Sequence, residues 1–393
     1  MSYAWQLLSV FNTIRTTIWQ EDDVIIDSLT MRMNYQAAVS FLLTSSCLVT
    51  FNNWFGGDKP IECITNQNSK PDYMEDYCLI YPKKIYVSKE CWDQDDFDKT
   101  KEGVDRGCLK DHRTFYYEWT AIFFVAQAIC FYVTRFIWLR WENGTMKYLK
   151  LTIDKPGMDE DKRAEIAAEI IKERKDKNFN NIYSTGYCFV ELVCYVNILL
   201  QWKITNSFLG EIEQDWITPN YSVLNFNSLG LHFLVNNQSS LPLRMMFPRQ
   251  SLCRFNMTGT GGHTTVLNNK CLLTLNIIHD KVRLRSASHD ILLTNVSTWQ
   301  IFLVMWFLLV FITILAAVSA LKRIVLVAFQ SLRRQKLKWT YLGREKDGRF
   351  HSWTLLNSIS VRHSDYLFFE IFGQNFSKSL VRKTLVKLND LES

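Results

Sequence analysis

Four apolar stretches constrain this chain most, because each is close to the roughly 20 residues that an α-helix needs to cross the hydrocarbon core of a bilayer. They lie at 35–55, 116–139, 185–205 and 299–321. The last is the most apolar, whereas Ser and Thr make the first the weakest and predict that its polar face is buried among neighbours. The mean hydropathy of −0.07 conceals this pattern because charged segments separate the stretches.

Four spans place both termini on one side of the membrane. The Lys and Arg residues that flank the span ends favour the cytoplasm for that side. The sequence thus predicts a cytoplasmic N-terminal segment at 1–34, an outer loop at 56–115, a cytoplasmic loop at 140–184, a second outer loop at 206–298 and a cytoplasmic helical region at 322–393.

The Asn-x-Ser/Thr sequons give an independent indication of sidedness, because they are glycosylated only in the secretory lumen. Four of the six lie in the second outer loop, and the other two, at Asn143 and Asn375, would be cytoplasmic and unmodified. We expect glycosylation at Asn220, Asn237, Asn256 and Asn295.

The ten cysteines divide according to this topology. Four lie in predicted spans and are expected to remain reduced. An even set in an oxidising compartment predicts disulfides, but six cysteines allow 15 connectivities, and spacing does not choose among them. The six in the outer loops are Cys63, Cys78, Cys91, Cys108, Cys253 and Cys271.

Composition and motifs favour neither an enzyme nor a nucleic-acid-binding protein. The net charge of +6 is spread along the chain rather than gathered in a basic patch. The acidic stretch at 92–105 lacks the order of an EF-hand loop, and the histidines of the second outer loop match no zinc spacing. We therefore expect no catalytic residues, no metal site and no cofactor.

Two segments leave alternatives open. Glu191 is a carboxylate inside the third span, where a buried hydrogen-bonding role and a pore or proton role compete. The segment 5–18 has apolar residues at helical spacing and would lie on the membrane surface or fold into a pore. By contrast, 158–175 predicts an amphipathic helix, with Ile166, Ala167, Ile170 and Ile171 packing against cytoplasmic neighbours.

Several motifs in this order resemble the innexins, the invertebrate relatives of pannexins. Tyr116, Tyr117, Glu118 and Trp119 resemble the Tyr-Tyr-Gln-Trp signature at the start of the second span, with Glu in place of Gln. The segment 57–63 is similar to the Gly-x-Pro-Ile-x-Cys motif, with one extra residue. Phe-Pro-Arg-x-x-x-Cys at 247–253 and Cys-x-Leu-x-x-Asn at 271–276 follow in the second outer loop.

The resemblance implies an all-α membrane protein of the plasma membrane. Its subunit would have four transmembrane helices, disulfide-held extracellular loops and a helical cytoplasmic domain. Eight identical or related subunits would form a ring in the lipid around a wide central pore for ions and small metabolites. The N-terminal segment would then enter the pore mouth, with Ser2, Tyr3, Trp5 and Gln6 lining it.

The resemblance also implies two disulfides between the outer loops, Cys63–Cys271 and Cys78–Cys253. Cys91 and Cys108 exceed the family pattern, and we predict that they bridge each other. A second departure is the additional segment after Asp280, before the fourth span.

Two channel types fit the resemblance, a gap junction between cells and an undocked hemichannel. Loop additions and a glycan on Asn256, three residues after Cys253, favour the hemichannel because they would obstruct docking with an opposing ring. A four-span adhesion or scaffold protein without a pore is the alternative, although the chain has no Cys-Cys-Gly motif of the tetraspanin type.

Overall fold

The computed structural model describes most of the helical parts of the chain and pieces of the outer loops. The predictions for Ser2, Tyr3, Trp5, Gln6, Cys91, Cys108, Asn220, Asn237 and Asn295 lie outside the described residues. The described residues are 9, 12, 13, 16, 18, 24–55, 61–64, 71–80, 83–87, 109–113, 116–210, 212–213, 223–235, 247, 250–258, 262–273, 298–342 and 362–392.

The helices follow the apolar stretches and the two regions predicted to be cytoplasmic. The N-terminal residues 9, 12, 13, 16 and 18 are helical as well. In chain order the α-helices are α1 (Leu29–Arg32), α2 (Val39–Phe55), α3 (Pro71–Ile80), α4 (Tyr116–Glu142), α5 (Thr145–Ile153), α6 (Glu160–Asp176), α7 (Phe179–Leu209), α8 (Phe226–Val235), α9 (Thr298–Ala328), α10 (Gln330–Leu337), α11 (His363–Asn375) and α12 (Lys378–Glu392).

Three helices of the described chain are long and apolar enough to cross a membrane, namely Trp119–Glu142 within α4, α7 and α9. They contain the second, third and fourth predicted spans. The first predicted span is helical too, but α1 passes into α2 through a π-helical segment, Met33–Ala38. Its α-helical part, α2, has only 17 residues, and it includes Ser, Thr and Asn. The membrane boundaries of all four spans remain predictions.

The outer loops contain a sheet, so the all-α expectation was wrong for this part of the chain. Its strand order is β1-β7-β6-β2-β3, and every pair is antiparallel. Strands from the two loops pair with each other, which no local sequence pattern reports. The strands are β1 (Ile61–Ile64), β2 (Lys83–Val87), β3 (Leu109–Arg113), β6 (Gln250–Thr258) and β7 (Thr264–Leu273), and β4 (Ile212–Glu213) pairs with β5 (Val223–Leu224).

The chain divides into two compact units. The first contains 41–128 and 199–311, and thus the sheet. Aromatic rings form much of its interior: the rings of Phe124 and Phe247 lie 5.3 and 5.7 Å from that of Phe302. All three side chains are buried.

The second unit contains 12–40, 129–198 and 312–393. Its core holds Trp138, which meets Tyr183 and Tyr187 edge-on, together with the buried faces of α5, α6, α11 and α12. The predicted amphipathic helix is present as α6, with Asp159 as its N-cap.

The buried face of α6 agrees with the expected one at Ala167 and Ile171 and differs from it elsewhere. It consists of Ala164, Ala167, Ala168 and Ile171, whereas Ile166 and Ile170 are only partly buried. Small side chains let a neighbouring helix approach closely, and α12 packs along this face. A prediction from apolarity alone therefore centred the buried face of α6 on the isoleucines, whereas the structure centres it on the alanines.

Candidate functional site

Two disulfides join the two outer-loop segments. Cys63 of β1 is bonded to Cys271 of β7, and these residues face each other in the strand register. Cys78 of α3 is bonded to Cys253 of β6. Each bond closes a loop of more than 170 residues, at sequence separations of 208 and 175, and such bonds strongly restrict the unfolded chain.

The disulfides lie in a dry core between α3 and the sheet. Cys78, Cys253 and Cys271 are at most 1% exposed, and Ile61 and Leu273 are 2% exposed. Sulfur atoms of Cys63, Cys78 and Cys271 lie within 4.8 Å of one another, but bonded sulfurs do not act as thiolate metal ligands. The cluster is thus a covalent support for the sheet.

The far part of the β6–β7 hairpin extends beyond the paired core of the sheet. β1 pairs with β7 at 270–273, and β2 pairs with β6 at Leu252. From Arg254 to Thr258, β6 pairs only with β7 among the described strands. Asn256 is opposite Val266, whose side chain is 51% exposed, so this sequon lies where only two of the described strands pair.

Helix α8 of the second outer loop packs tightly against the start of α9. Asn225 caps α8, because its side-chain oxygen accepts a hydrogen bond from Ser228 N at 3.1 Å. The indole of Trp306 donates to Asn227 O at 3.2 Å. A Cβ on Gly230 would come within 2.2 Å of that indole, so only glycine fits here.

The candidate intramembrane residue Glu191 is half of a buried ion pair. Arg323, in the extension of α9, donates from Nε and Nη2 to the two carboxylate oxygens at 3.2 and 3.1 Å. The side chains are 6% and 15% exposed. Of the two roles that sequence left open, this geometry favours the buried hydrogen-bonding role, with a paired charge as the partner.

A second buried ion pair joins the segment before α1 to α4. Arg135 donates to Asp27, which also accepts a hydrogen bond from the Tyr35 hydroxyl at 2.7 Å. The guanidinium lies 4.5 Å from the centre of the Tyr35 ring. No local sequence pattern indicates this pair, because Asp27 is 108 residues away from Arg135 in sequence.

A family model for the innexins matches residues 27–284, about two thirds of the chain. The chain belongs to the innexin family. The resemblance drawn from the loop motifs is thereby confirmed, and innexins are channel-forming membrane proteins of gap junctions rather than enzymes.

Similar innexins cover most of the chain. Innexin inx2 of Drosophila melanogaster is 27% identical over 340 residues, which cover 84% of this chain and 83% of that protein. Innexin inx2 of Schistocerca americana is 26% identical over 282 residues, 70% of this chain and 74% of that protein. Innexin shaking-B of Drosophila melanogaster is 22% identical, covering 97% and 94%.

The innexin signature Tyr116–Trp119 forms the first turn of α4. Trp119 is 53% exposed, as expected of an aromatic ring that meets lipid or a neighbouring subunit. Trp119 therefore lies on the surface of this innexin subunit rather than in its core.

The predicted cytoplasmic region of this innexin contains a further charge cluster that the sequence did not indicate. Glu370 of α11 accepts from Lys322 and Lys336 at 3.2 and 3.1 Å and lies 3.7 Å from Arg323. Burial opposes the charge of Glu370, yet these cations lower its pKa below that of an ordinary glutamate. One carboxylate thus ties α11 to both α9 and α10.

The Asn375 side chain, which belongs to a sequon, makes hydrogen bonds within the protein. Its amide nitrogen donates to Ile25 O at 2.7 Å, and its amide oxygen accepts from Ile25 N at 2.6 Å. This double contact joins the end of α11 to the chain before α1. It gives Asn375 a structural use that needs no glycan.

Proposed function

We propose that this innexin is a four-span subunit of a large-pore plasma-membrane channel, eight of which surround a central pore for ions and small metabolites. The subunits are identical or mixed with related innexins. Family membership supports the channel, because innexins assemble into channels. The observation that carries the outer half of the proposal is the sheet shared by both loops, which two disulfides hold.

The helix Leu29–Phe55, including its π segment, supports a fourth span. Ser45 and Ser46 are buried, and the Ser46 hydroxyl donates to Ala121 O at 2.9 Å. A span whose polar side chains are satisfied by a neighbouring helix is compatible with a bilayer despite its lower hydropathy. The N-terminal segment, with Ser2, Tyr3, Trp5 and Gln6, then enters the cytoplasmic mouth of the pore.

The channel works largely as an undocked hemichannel. Asn256 lies in the part of the β6–β7 hairpin that pairs with no further described strand, opposite the half-exposed Val266. A glycan there, together with the glycans predicted on Asn220, Asn237 and Asn295, adds bulk to the second outer loop. The extra Cys91–Cys108 bridge and the segment after Asp280 enlarge the same outer side. Each addition hinders the approach of a second ring.

Imaging of the purified particle in detergent tests the ring. We expect eight subunits around a central opening, and dye uptake into cells that express the protein. A particle of one or two subunits without dye uptake would instead support an adhesion or scaffold protein.

Recordings from cell pairs test the preference for the undocked state. We expect hemichannel current but little junctional current from the glycosylated wild type, and more junctional current from Asn256→Gln. The matched control is Asn143→Gln, which removes a predicted cytoplasmic sequon. Robust junctional current in the glycosylated wild type would contradict the hemichannel proposal and leave the channel intact.

A further inference from the structure

A cleft of about 630 Å³ lies between the cytoplasmic end of α9 and α10. Its walls are apolar, formed by Val318, Leu321, Val325 and Leu332, with Trp339 at one end. Trp339 is 73% exposed, and Leu321 is 64% exposed. A volume of this size matches small-molecule sites in proteins, yet the apolar surface is open rather than covered by described parts of the chain.

The cleft has a fixed shape because Arg333 braces the bend between its two helices. The guanidinium of Arg333 donates from Nη1 to Leu326 O at 2.5 Å and to Val327 O at 2.8 Å. These carbonyls belong to the last turn of α9, where no helical N–H follows. A cation at this helix end is also favoured by the helix dipole.

The position along α9 places the cleft at the inner membrane surface. An exposed apolar stripe runs along this helix at spacings of three and four residues, through Val304, Phe307, Phe311, Ile314, Val318 and Leu321. At 1.5 Å per residue, about 20 residues cross the hydrocarbon core, so a span that begins at Thr298 reaches the headgroups near Val318. The stripe that faces the bilayer therefore continues into the cleft.

The rim of the cleft is positively charged. Residues 322–338 include six Lys and Arg and no Asp or Glu, and a juxtamembrane cluster of this kind attracts anionic lipid. Lys322 and Lys336 line the cleft and approach the same oxygen of Glu370 at 3.2 and 3.1 Å. That carboxylate also lies near Arg323, which is paired with Glu191. Two carboxylates thus face three cations, and the group keeps a net positive charge.

We propose that an anionic phospholipid of the cytoplasmic leaflet occupies this cleft. Its acyl chain leaves the hydrocarbon core along Val318 and Leu321, and its glycerol region lies against Val325 and Leu332. Its phosphate accepts hydrogen bonds from Lys322 and Lys336. Glu370 demonstrates that an anionic oxygen fits between these two lysines. Trp339 lies at the headgroup level, where amphipathic rings are favoured.

Native mass spectrometry of the full-length assembly tests the site. The probes are palmitoyl-oleoyl phosphatidylserine and the matching phosphatidylcholine, added to the detergent-purified protein. We expect phosphatidylserine to bind at a concentration at least about fivefold lower than phosphatidylcholine requires. The reason is that a basic side chain near an anionic surface contributes about 1 kcal/mol. Equal retention of both lipids would overturn the proposal.

Filling the cleft provides the mutational arm. Val325→Trp should reduce retention of phosphatidylserine at least fivefold, whereas Val304→Trp, on the same exposed stripe but far from the cleft, should leave it unchanged. Equal loss in both variants would indicate ordinary annular lipid. A changed number of subunits in Val325→Trp, with lipid retention preserved, would show that the cleft instead receives a second copy of the chain.

The charge arm uses Lys322→Gln combined with Lys336→Gln, which should abolish the preference for phosphatidylserine while some lipid is still retained. Excess inorganic phosphate should not displace the lipid from the wild type. Either an unchanged preference or full displacement by phosphate would contradict the proposal.

A cross-linking experiment needs no variant and so remains decisive if Val325→Trp fails to fold. Phosphatidylserine with a photoactivatable acyl chain should label peptides within 318–339 of the wild type. Labelling that is confined to other parts of the chain would overturn the assignment.

Discussion

Arg323 and Glu191 form a bidentate ion pair inside this innexin. Arg323 Nη2 and Nε donate to the two carboxylate oxygens of Glu191 at 3.1 and 3.2 Å. The pair joins α7 to α9. Since Arg323 also lies 3.7 Å from Glu370, it connects a residue of the third predicted span to helix α11 of the cytoplasmic region. The sequence left two roles open for this carboxylate, and its contacts favour the buried hydrogen-bonding role.

Removing one member of this pair should destabilise the subunit strongly. Glu191→Leu leaves the guanidinium of Arg323 largely buried, with Glu370 at 3.7 Å as its remaining carboxylate neighbour. Breaking a buried pair costs about 3–5 kcal/mol. The double variant Glu191→Leu with Arg323→Met should recover most of that loss, because both buried charges are gone. Thermal unfolding of the detergent-purified wild type, the two single variants and the double variant measures this coupling. Additive losses would argue against the coupling.

The pair between Asp27 and Arg135 gives a second stability prediction. Asp27→Asn keeps an acceptor for the Tyr35 hydroxyl but removes the negative charge beside Arg135, and we expect a loss of about 3 kcal/mol. Tyr35→Phe removes only the hydroxyl and should cost about 1 kcal/mol. The yield of assembled particles on size-exclusion chromatography should follow the same order, and a reversed order would contradict this account.

Two of the close-packed glycines, Gly230 and Gly186, should respond differently to the same substitution. A Cβ at Gly230 meets Trp306, which is buried and bonded to Asn227, so Gly230→Ala should cost about 1–3 kcal/mol. A Cβ at Gly186 meets Trp141, but that side chain is 45% exposed and can swing outward. Gly186→Ala should therefore be milder in a thermal unfolding comparison; equal effects would refute the explanation.

His363 should make the cytoplasmic unit sensitive to acid. Burial, and then the nearby Arg323 and Arg333, lower the pKa of His363 from 6.5 to about 4. As the pH falls, the folded protein therefore binds a proton at this histidine only at a lower pH than the unfolded chain does. Stability is then present above about pH 6.5 and declines as pH falls towards 4. The loss should be on the order of 2 kcal/mol.

Limited proteolysis of α11 and α12 between pH 7 and pH 4.5 measures this loss. His363→Gln should weaken the pH dependence, whereas His263→Gln, at an exposed turn, serves as the matched control. An unchanged pH profile in His363→Gln would rule out this histidine as the cause.

The disulfide between Cys78 and Cys253 should be required for a stable outer sheet. Cys78→Ser should cost about 2–5 kcal/mol and reduce both surface labelling and dye uptake. Cys47→Ser, at a free and partly buried thiol of α2, should behave like the wild type. Normal dye uptake in Cys78→Ser would show that the remaining bond, Cys63–Cys271, is sufficient.

The candidate site was only partly predictable from sequence. Residue spacing left 15 possible disulfide arrangements, and the resemblance to innexins supplied the pairings that the described cysteines have. Asp27 with Arg135, and Ile25 with Asn375, could not be inferred, because their partners are 108 and 350 residues apart. Contacts between residues so far apart in sequence leave no periodic pattern in the local sequence.

By itself, the sequence determined the strongly apolar helices, the amphipathic helix α6 and the loop motifs of the family, because hydrophobic burial and helix capping leave local, periodic patterns. Only the tertiary structure decided that strands of two distant loops share one sheet, that Glu191 is paired with Arg323, and that α10 folds back beside α9 to form a cleft. These features depend on which groups meet in space, and the desolvation of a charge or an apolar face is settled only there.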